Sequence, residues 1–171
     1  MPYRRRYYKR TANKDKYSIE QTLIAVPPSA DWEAFPEIAE LHIAASKQYA
    51  ISVIPPTDIQ GTRKVKHFTL SFSSADINSL IYYSLIYVPA GYEPQRINTP
   101  KAGYAISSYD ANQFIISQGA LDFTGGPLRI KSPLSRNLNS GDSIYLVFAL
   151  TGPNDITNGL YATVRYAITL Q

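Results

Sequence analysis

The sequence contains no cysteine, which excludes a disulfide framework and any thiolate metal site. Long apolar runs are missing as well. The longest, Ile144–Leu150, is seven residues, against the ~20 that a membrane-spanning helix needs. The chain starts with arginines, but residues 11–18 read Thr-Ala-Asn-Lys-Asp-Lys-Tyr-Ser rather than forming an apolar core, so this start is not a signal peptide. Together these absences predict a soluble chain with no membrane insertion. Histidine is scarce: His42 and His67 are the only two, and neither has a metal-ligand spacing or a nucleophile beside it. The thirteen Asp and Glu are scattered, no Walker lysine pattern follows Gly125-Gly126, and no Asn-x-Ser/Thr sequon occurs. No enzyme activity, cofactor or metal is expected.

What is present is a lopsided charge. Residues 1–16 carry Arg4, Arg5, Arg6, Lys9, Arg10, Lys14 and Lys16 against the single acid Asp15, a net +6. The other 155 residues hold ten basic and twelve acidic side chains, a net −2, so the overall +4 belongs to the first segment. This asymmetry describes a tethered polyanion binder on a nearly neutral body. Tyrosines are interleaved with the cations in Tyr3-Arg4-Arg5-Arg6-Tyr7-Tyr8-Lys9-Arg10. Arginine and lysine neutralise phosphates, and Tyr7 and Tyr8 are suited to stack on unpaired bases. The segment has too little apolar surface to fold alone and is expected to be disordered until it meets nucleic acid. The plainer reading of the same residues is a solubilising tail with nuclear-import capacity.

The body reads as strands. In Leu160–Leu170, Leu160, Ala162, Val164, Tyr166, Ile168 and Leu170 alternate with Tyr161, Thr163, Arg165, Ala167 and Thr169, the period of two of a half-buried strand. Phe68, Leu70 and Phe72 share one face opposite His67, Thr69, Ser71 and Ser73. Leu80–Val88 and Ser143–Leu150 are nearly continuous apolar runs, which fit strands covered on both faces, by the core on one side and a neighbouring subunit on the other. Turn chemistry separates them at Pro89-Ala90-Gly91, Gly125-Gly126-Pro127, Asn139-Ser140-Gly141-Asp142 and Gly152-Pro153-Asn154-Asp155. The spacing predicts eight strands, over 16–26, 47–54, 63–74, 80–88, 112–118, 127–132, 143–150 and 159–170, and one helix at about 36–46 opened by Pro36. Eight short strands with little helix predict a sandwich or barrel, which periodicity alone does not resolve further.

A second basic group, Arg63, Lys64 and Lys66, leads into one strand, and Arg129 and Lys131 project from the non-core face of another. They extend a nucleic-acid surface if that face lines an interior. Solvated strand edges, where lysine blocks unwanted pairing, are the preferred reading from the sequence. The fourteen tyrosines suit subunit contacts and a core equally well.

Three segments carry a family resemblance. Ser132–Leu146 (Ser-Pro-Leu-Ser-Arg-Asn-Leu-Asn-Ser-Gly-Asp-Ser-Ile-Tyr-Leu) resembles a stretch of the capsid proteins of circular, replicase-encoding single-stranded DNA viruses. Ile86-Tyr87-Val88-Pro89-Ala90-Gly91-Tyr92 and Gln60–Leu70 are similar to the same circovirus-like group, in the same order. The resemblance spans residues 14–150 and implies an eight-stranded antiparallel jelly roll at 17–171 behind a basic arm at 1–16. It also implies a closed icosahedral shell of about sixty copies around single-stranded DNA, a place in the virion and host nucleus, and contact with host import receptors. The arm is shorter than in many circoviruses. A non-capsid single-stranded nucleic-acid-binding β-barrel is the alternative, and a carbohydrate-binding jelly roll or β-enzyme the third.

Overall fold

The computed structural model describes residues 16–75, 80–107, 114–150 and 155–170. Nine strands form two antiparallel sheets. They are β1 (Ser18–Val26), β2 (Glu33–Phe35), β3 (Ser46–Ile54), β4 (Arg63–Ser74), β5 (Ile81–Val88), β6 (Phe114–Leu121), β7 (Leu128–Leu138), β8 (Ser143–Leu150) and β9 (Leu160–Leu170). One sheet has the order β1-β9-β4-β7 and the other β2-β3-β8-β5-β6. From β3 onward the chain crosses between sheets at every step except β5 to β6, and β1 closes against β9. Two four-stranded halves wound in this way are an eight-stranded jelly roll; the three-residue β2 extends one edge.

The sheets meet over side chains that the period of two sends inward. Val65, Phe68, Leu70, Phe72, Val164 and Tyr166 from one sheet face Val53, Ile81, Tyr83, Leu85, Leu146 and Phe148 from the other, all buried. Phe72 sets its ring edge-on to Phe148 at 6.1 Å and tilts against Tyr83 at 5.2 Å. Burying aromatics of this size supplies much of the cohesion of a two-layer sandwich. Trp32, before β2, caps one end of the core and donates its indole N–H to Pro27 O at 3.0 Å.

Two expectations from the sequence are corrected. Residues 36–46 do not form a helix: a single 3₁₀ turn spans Ala39–Leu41, His42 follows with φ 55°, and Ile38 bridges Ile43. The apolar runs of β5 and β8 are covered on their second face by their own chain. Ile97 packs there with Ile86, Val88, Val147 and Ala149, and Gln48 fixes it by donating to Ile97 O at 2.8 Å and accepting from Ile97 N at 2.9 Å. Tyr82, Ile115 and Tyr145 at the margin of this cluster stay partly exposed.

Candidate nucleic-acid interface

Strict alternation along β4 would place Lys64 and Lys66 on the same side as Phe68, Leu70 and Phe72, inside the sandwich. A β-bulge prevents this. Lys66 pairs with Ala167 and Thr69 with Arg165, so His67 and Phe68 together oppose the single residue Tyr166. His67 takes a φ of 57° to make the turn, and β7 carries its own irregularity between Ser132 and Ser135 at the same level. The extra residue flips the strand's parity. Val65 stays in the core, while Lys64 and Lys66 join Thr69, Ser71 and Ser73 on the outer face.

The register then defines the whole outer face of the β1-β9-β4-β7 sheet. One row across the strands reads Gln21, Arg165, Thr69, Lys131, and the next reads Leu23, Thr163, Ser71, Arg129. On the other side lies the row Ile19, Ala167, Lys66, Ser135. Arg129, Lys131 and Arg165 are exposed, Lys64 and Lys66 half-buried. The one carboxylate on these four strands, Glu20, is exposed but has the parity of Tyr166, opposite to that of the cations, and among the described residues neither salt bridge involves any of the five cations. Lys66 sits 3.6 Å over the Tyr17 ring, so the chain enters β1 on this same face. The opposite side of the sandwich differs: a cleft of about 410 Å³ there is lined by Asp31, Glu33 and Glu93 with Arg96.

The structure therefore gathers Lys64, Lys66, Arg129 and Lys131 on one surface, as the interior reading of the sequence required. It removes Arg63, which is buried, 8% exposed, and donates to Asp142 O at 3.0 Å and Pro55 O at 3.3 Å. A guanidinium spent on two backbone carbonyls inside the sandwich end is not free for phosphate. Lys16 is exposed beside Tyr17, whereas Arg4, Arg5, Arg6, Tyr7, Tyr8, Lys9, Arg10 and Lys14 lie outside the described residues. Arg165 was missed by sequence reasoning, although the alternation of Leu160–Leu170 already placed it with Tyr161 and Thr163 away from the core. Among the described residues no group of three or more His, Cys, Asp or Glu is placed to hold a metal ion.

Arg63 belongs to a knot of loops at one end of the jelly roll, centred on Asp142. This carboxylate is 4% exposed and accepts from Tyr87 Oη at 2.8 Å, Ala90 N at 3.0 Å and Asn139 N at 2.7 Å. Burial first, then the bond to Asp142 and its negative charge, push the Tyr87 phenol up to about 12. Gly141, at φ 82°, donates to Thr57 O, and a Cβ there would lie 2.7 Å from the Ala90 methyl. The three segments that carry the family resemblance thus meet at one place, where Asp142 ties 86–92 and 139–146 together and Arg63 adds 60–70. Their chemistry is structural: the buried carboxylate, satisfied by three donors, holds two connections in register, and the Asp142 backbone carbonyl, bonded to Arg63, holds the third.

No protein-family model matches the chain, and no curated protein matches it. Among solved structures, it is similar to infectious bursal disease virus Gt strain, with 12% identity and a TM-score of 0.34 over 88% of this chain and 32% of that one. A CocE/NonD family hydrolase from Staphylococcus aureus aligns at 9% identity and a TM-score of 0.33, over 92% of this chain and 37% of its own. The infectious bursal disease virus VP2 subviral particle aligns at 12% identity and a TM-score of 0.19, over 90% and 42%. The chain spans less than half the length of each. These likenesses are remote, and the assignment of a jelly-roll sandwich stands on its own strand order.

Proposed function

We propose that this chain is the coat subunit of a small virus. The domain at 17–171 tiles an icosahedral shell of about sixty copies, and the arm at 1–16 binds the enclosed single-stranded DNA. The observation that carries the reading is the placement of charge: the jelly roll's exposed, acid-free cationic face is also the face at which the +6 segment joins the body, next to Lys66 and Tyr17. A subunit with its cations on one side and an acid-lined cleft on the other is suited to enclose a polyanion. The motif resemblance adds the virus class and, with it, residence in the virion and assembly in the host nucleus through import receptors. The proposal assigns the chain no catalytic role.

The test is to purify the full chain and measure particle size by light scattering across protein concentration and salt, with and without single-stranded DNA, followed by nuclease treatment. Closed particles that protect the DNA are expected. A chain that stays monomeric under every condition yet binds DNA would replace this reading with that of a small single-strand-binding protein.

A further inference from the structure

We infer that the outer face of the β1-β9-β4-β7 sheet is itself a binding track for single-stranded nucleic acid, separate from residues 1–16. Arg129, Lys131 and Arg165 take its phosphates and Tyr161 stacks one of its bases. The inference deepens the proposed genome-binding role and rests on it for the identity of the polyanion, though not on shell formation.

Three observations converge. The first is charge: the five cations of the face stand on neighbouring strands with no outward carboxylate between them. Lys131 and Arg129 are two residues apart on β7, ~7 Å, and Arg165 lies two strands away from Lys131, ~10 Å across the sheet. A solvated face that served only solubility would mix the signs. The second is the floor between them. Thr69, Ser71, Ser73 and Thr163 are small hydroxyl-bearing residues, which let a sugar–phosphate backbone approach and offer it hydrogen bonds. The third is the exposed apolar border. Ile19, Leu23 and Tyr161 are 63%, 74% and 65% exposed, and Tyr161 lies diagonally beside Leu23 across the β1–β9 pair. Cations beside an uncovered ring suit a chain whose bases are unpaired; a duplex keeps its base faces inside its own stack.

The test compares two charge-matched double variants of the full chain, held below its assembly concentration, for binding to labelled oligo-dT over a salt series. Lys131→Ser/Arg165→Ser removes two cations from the face, and Lys47→Ser/Lys101→Ser removes two from elsewhere. The first should flatten the log–log salt dependence by about 1.4, two phosphates at ~0.7 each, and the second should leave it unchanged. Tyr161→Ala should weaken oligo-dT binding ~5-fold or more with the slope intact and leave duplex binding unaltered. Lys131, Tyr161 and Arg165 are exposed, whereas Lys47 and Lys101 are half-exposed and paired with Asp155 and Glu37, so thermal melts verify that each variant is folded. Equal flattening by both doubles would mean that only net charge matters, and no flattening by the first would mean that the face is unused; either overturns the inference. Loss of duplex and single-strand binding together in Tyr161→Ala overturns its single-strand part. Light scattering of the wild type reads shell formation independently, so a failure of the coat-subunit proposal is told apart from a failure of this one.

Discussion

Asp142 is a carboxylate of the kind that sequence inspection passes over, because it lies in a turn signal and turn aspartates are common. Its carboxylate is buried and accepts from three donors, which makes it costly to remove. Asp142→Ala leaves Tyr87 Oη, Ala90 N and Asn139 N without their acceptor, and the loss should reach about 3–5 kcal/mol in a denaturant melt. Tyr87→Phe removes one donor with its partner still satisfied by two others and should cost about 1–2 kcal/mol. The same pair gives a pH signature. The folded phenol is raised from 10.0 to about 12, so the protonated form is favoured in the fold. That contribution is fully present below pH 10 and is lost as pH rises towards 12. Over that window the wild type should lose more stability than Tyr87→Phe; parallel losses would refute the assignment. At this scale the sequence was legible for what points outward and blind to what is pinned. Arg129 and Lys131 were placed by alternation alone, whereas Arg63 looked like one more cation of a basic cluster. Its burial depends on carbonyls of residues 55 and 142, far away along the chain.

The bulge in β4 decides which side of the sandwich Lys64 and Lys66 occupy. Deleting His67 removes the extra residue, so that strict alternation from Phe68 keeps Lys66 and Lys64 on the outer face and Val65 in the core, and the deletion variant should keep its cooperative melt. His67→Gly keeps the left-handed turn without a Cβ and should fall within about 1 kcal/mol of wild type, while His67→Val should be destabilised by a further ~1–2 kcal/mol. A deletion variant that loses its cooperative melt would show that the extra residue is not what sets the side of the lysines. Apart from the three-residue β2, which the sequence did not announce, and from 112–113, which lie outside the described residues, the strands were read within a few residues from period and turn chemistry, with two instructive misses. The segment from 127 was expected to end at 132, before Pro133, yet β7 runs to Leu138. It is an edge strand with irregular register at that level, where a missing N–H costs no ladder bond. The helix expected at 36–46 had apolar spacing but nothing to bury it against: Ile38 and Leu41 remain 42% and 58% exposed. Periodicity reports a face, and only tertiary packing reports whether that face has a partner. Where the partner exists the expectation held, and Phe148→Ala, at 0% exposure between the sheets, should cost about 3–5 kcal/mol.

For the whole molecule, the expected division of labour is measurable. If about six of the seven cations in residues 1–16 engage phosphates, single-strand affinity should fall with salt at a log–log slope near −4 from this segment alone. Deleting residues 2–16 should remove that portion and leave the thermal transition unchanged, since the buried cluster of the described residues is built from Ile24 onward. A slope that survives the deletion in full would transfer the entire role to the sheet face. The strand order has a further consequence, in time rather than in space. Among the described residues β1 pairs only with β9, Ser18 opposite Ile168 and Val26 opposite Leu160, so β1 leaves the ribosome long before its partner. Until residues 160–170 emerge, β4 also lacks one of its two neighbours. Such non-local closure is slow and leaves open strand edges during synthesis. Throughout that interval the +6 segment is already outside the ribosome. Synthesis therefore presents the +6 charge before there is a body to carry it, and, if that charge binds the genome as proposed, newly made chains should be found on nucleic acid, or on one another, ahead of their final fold.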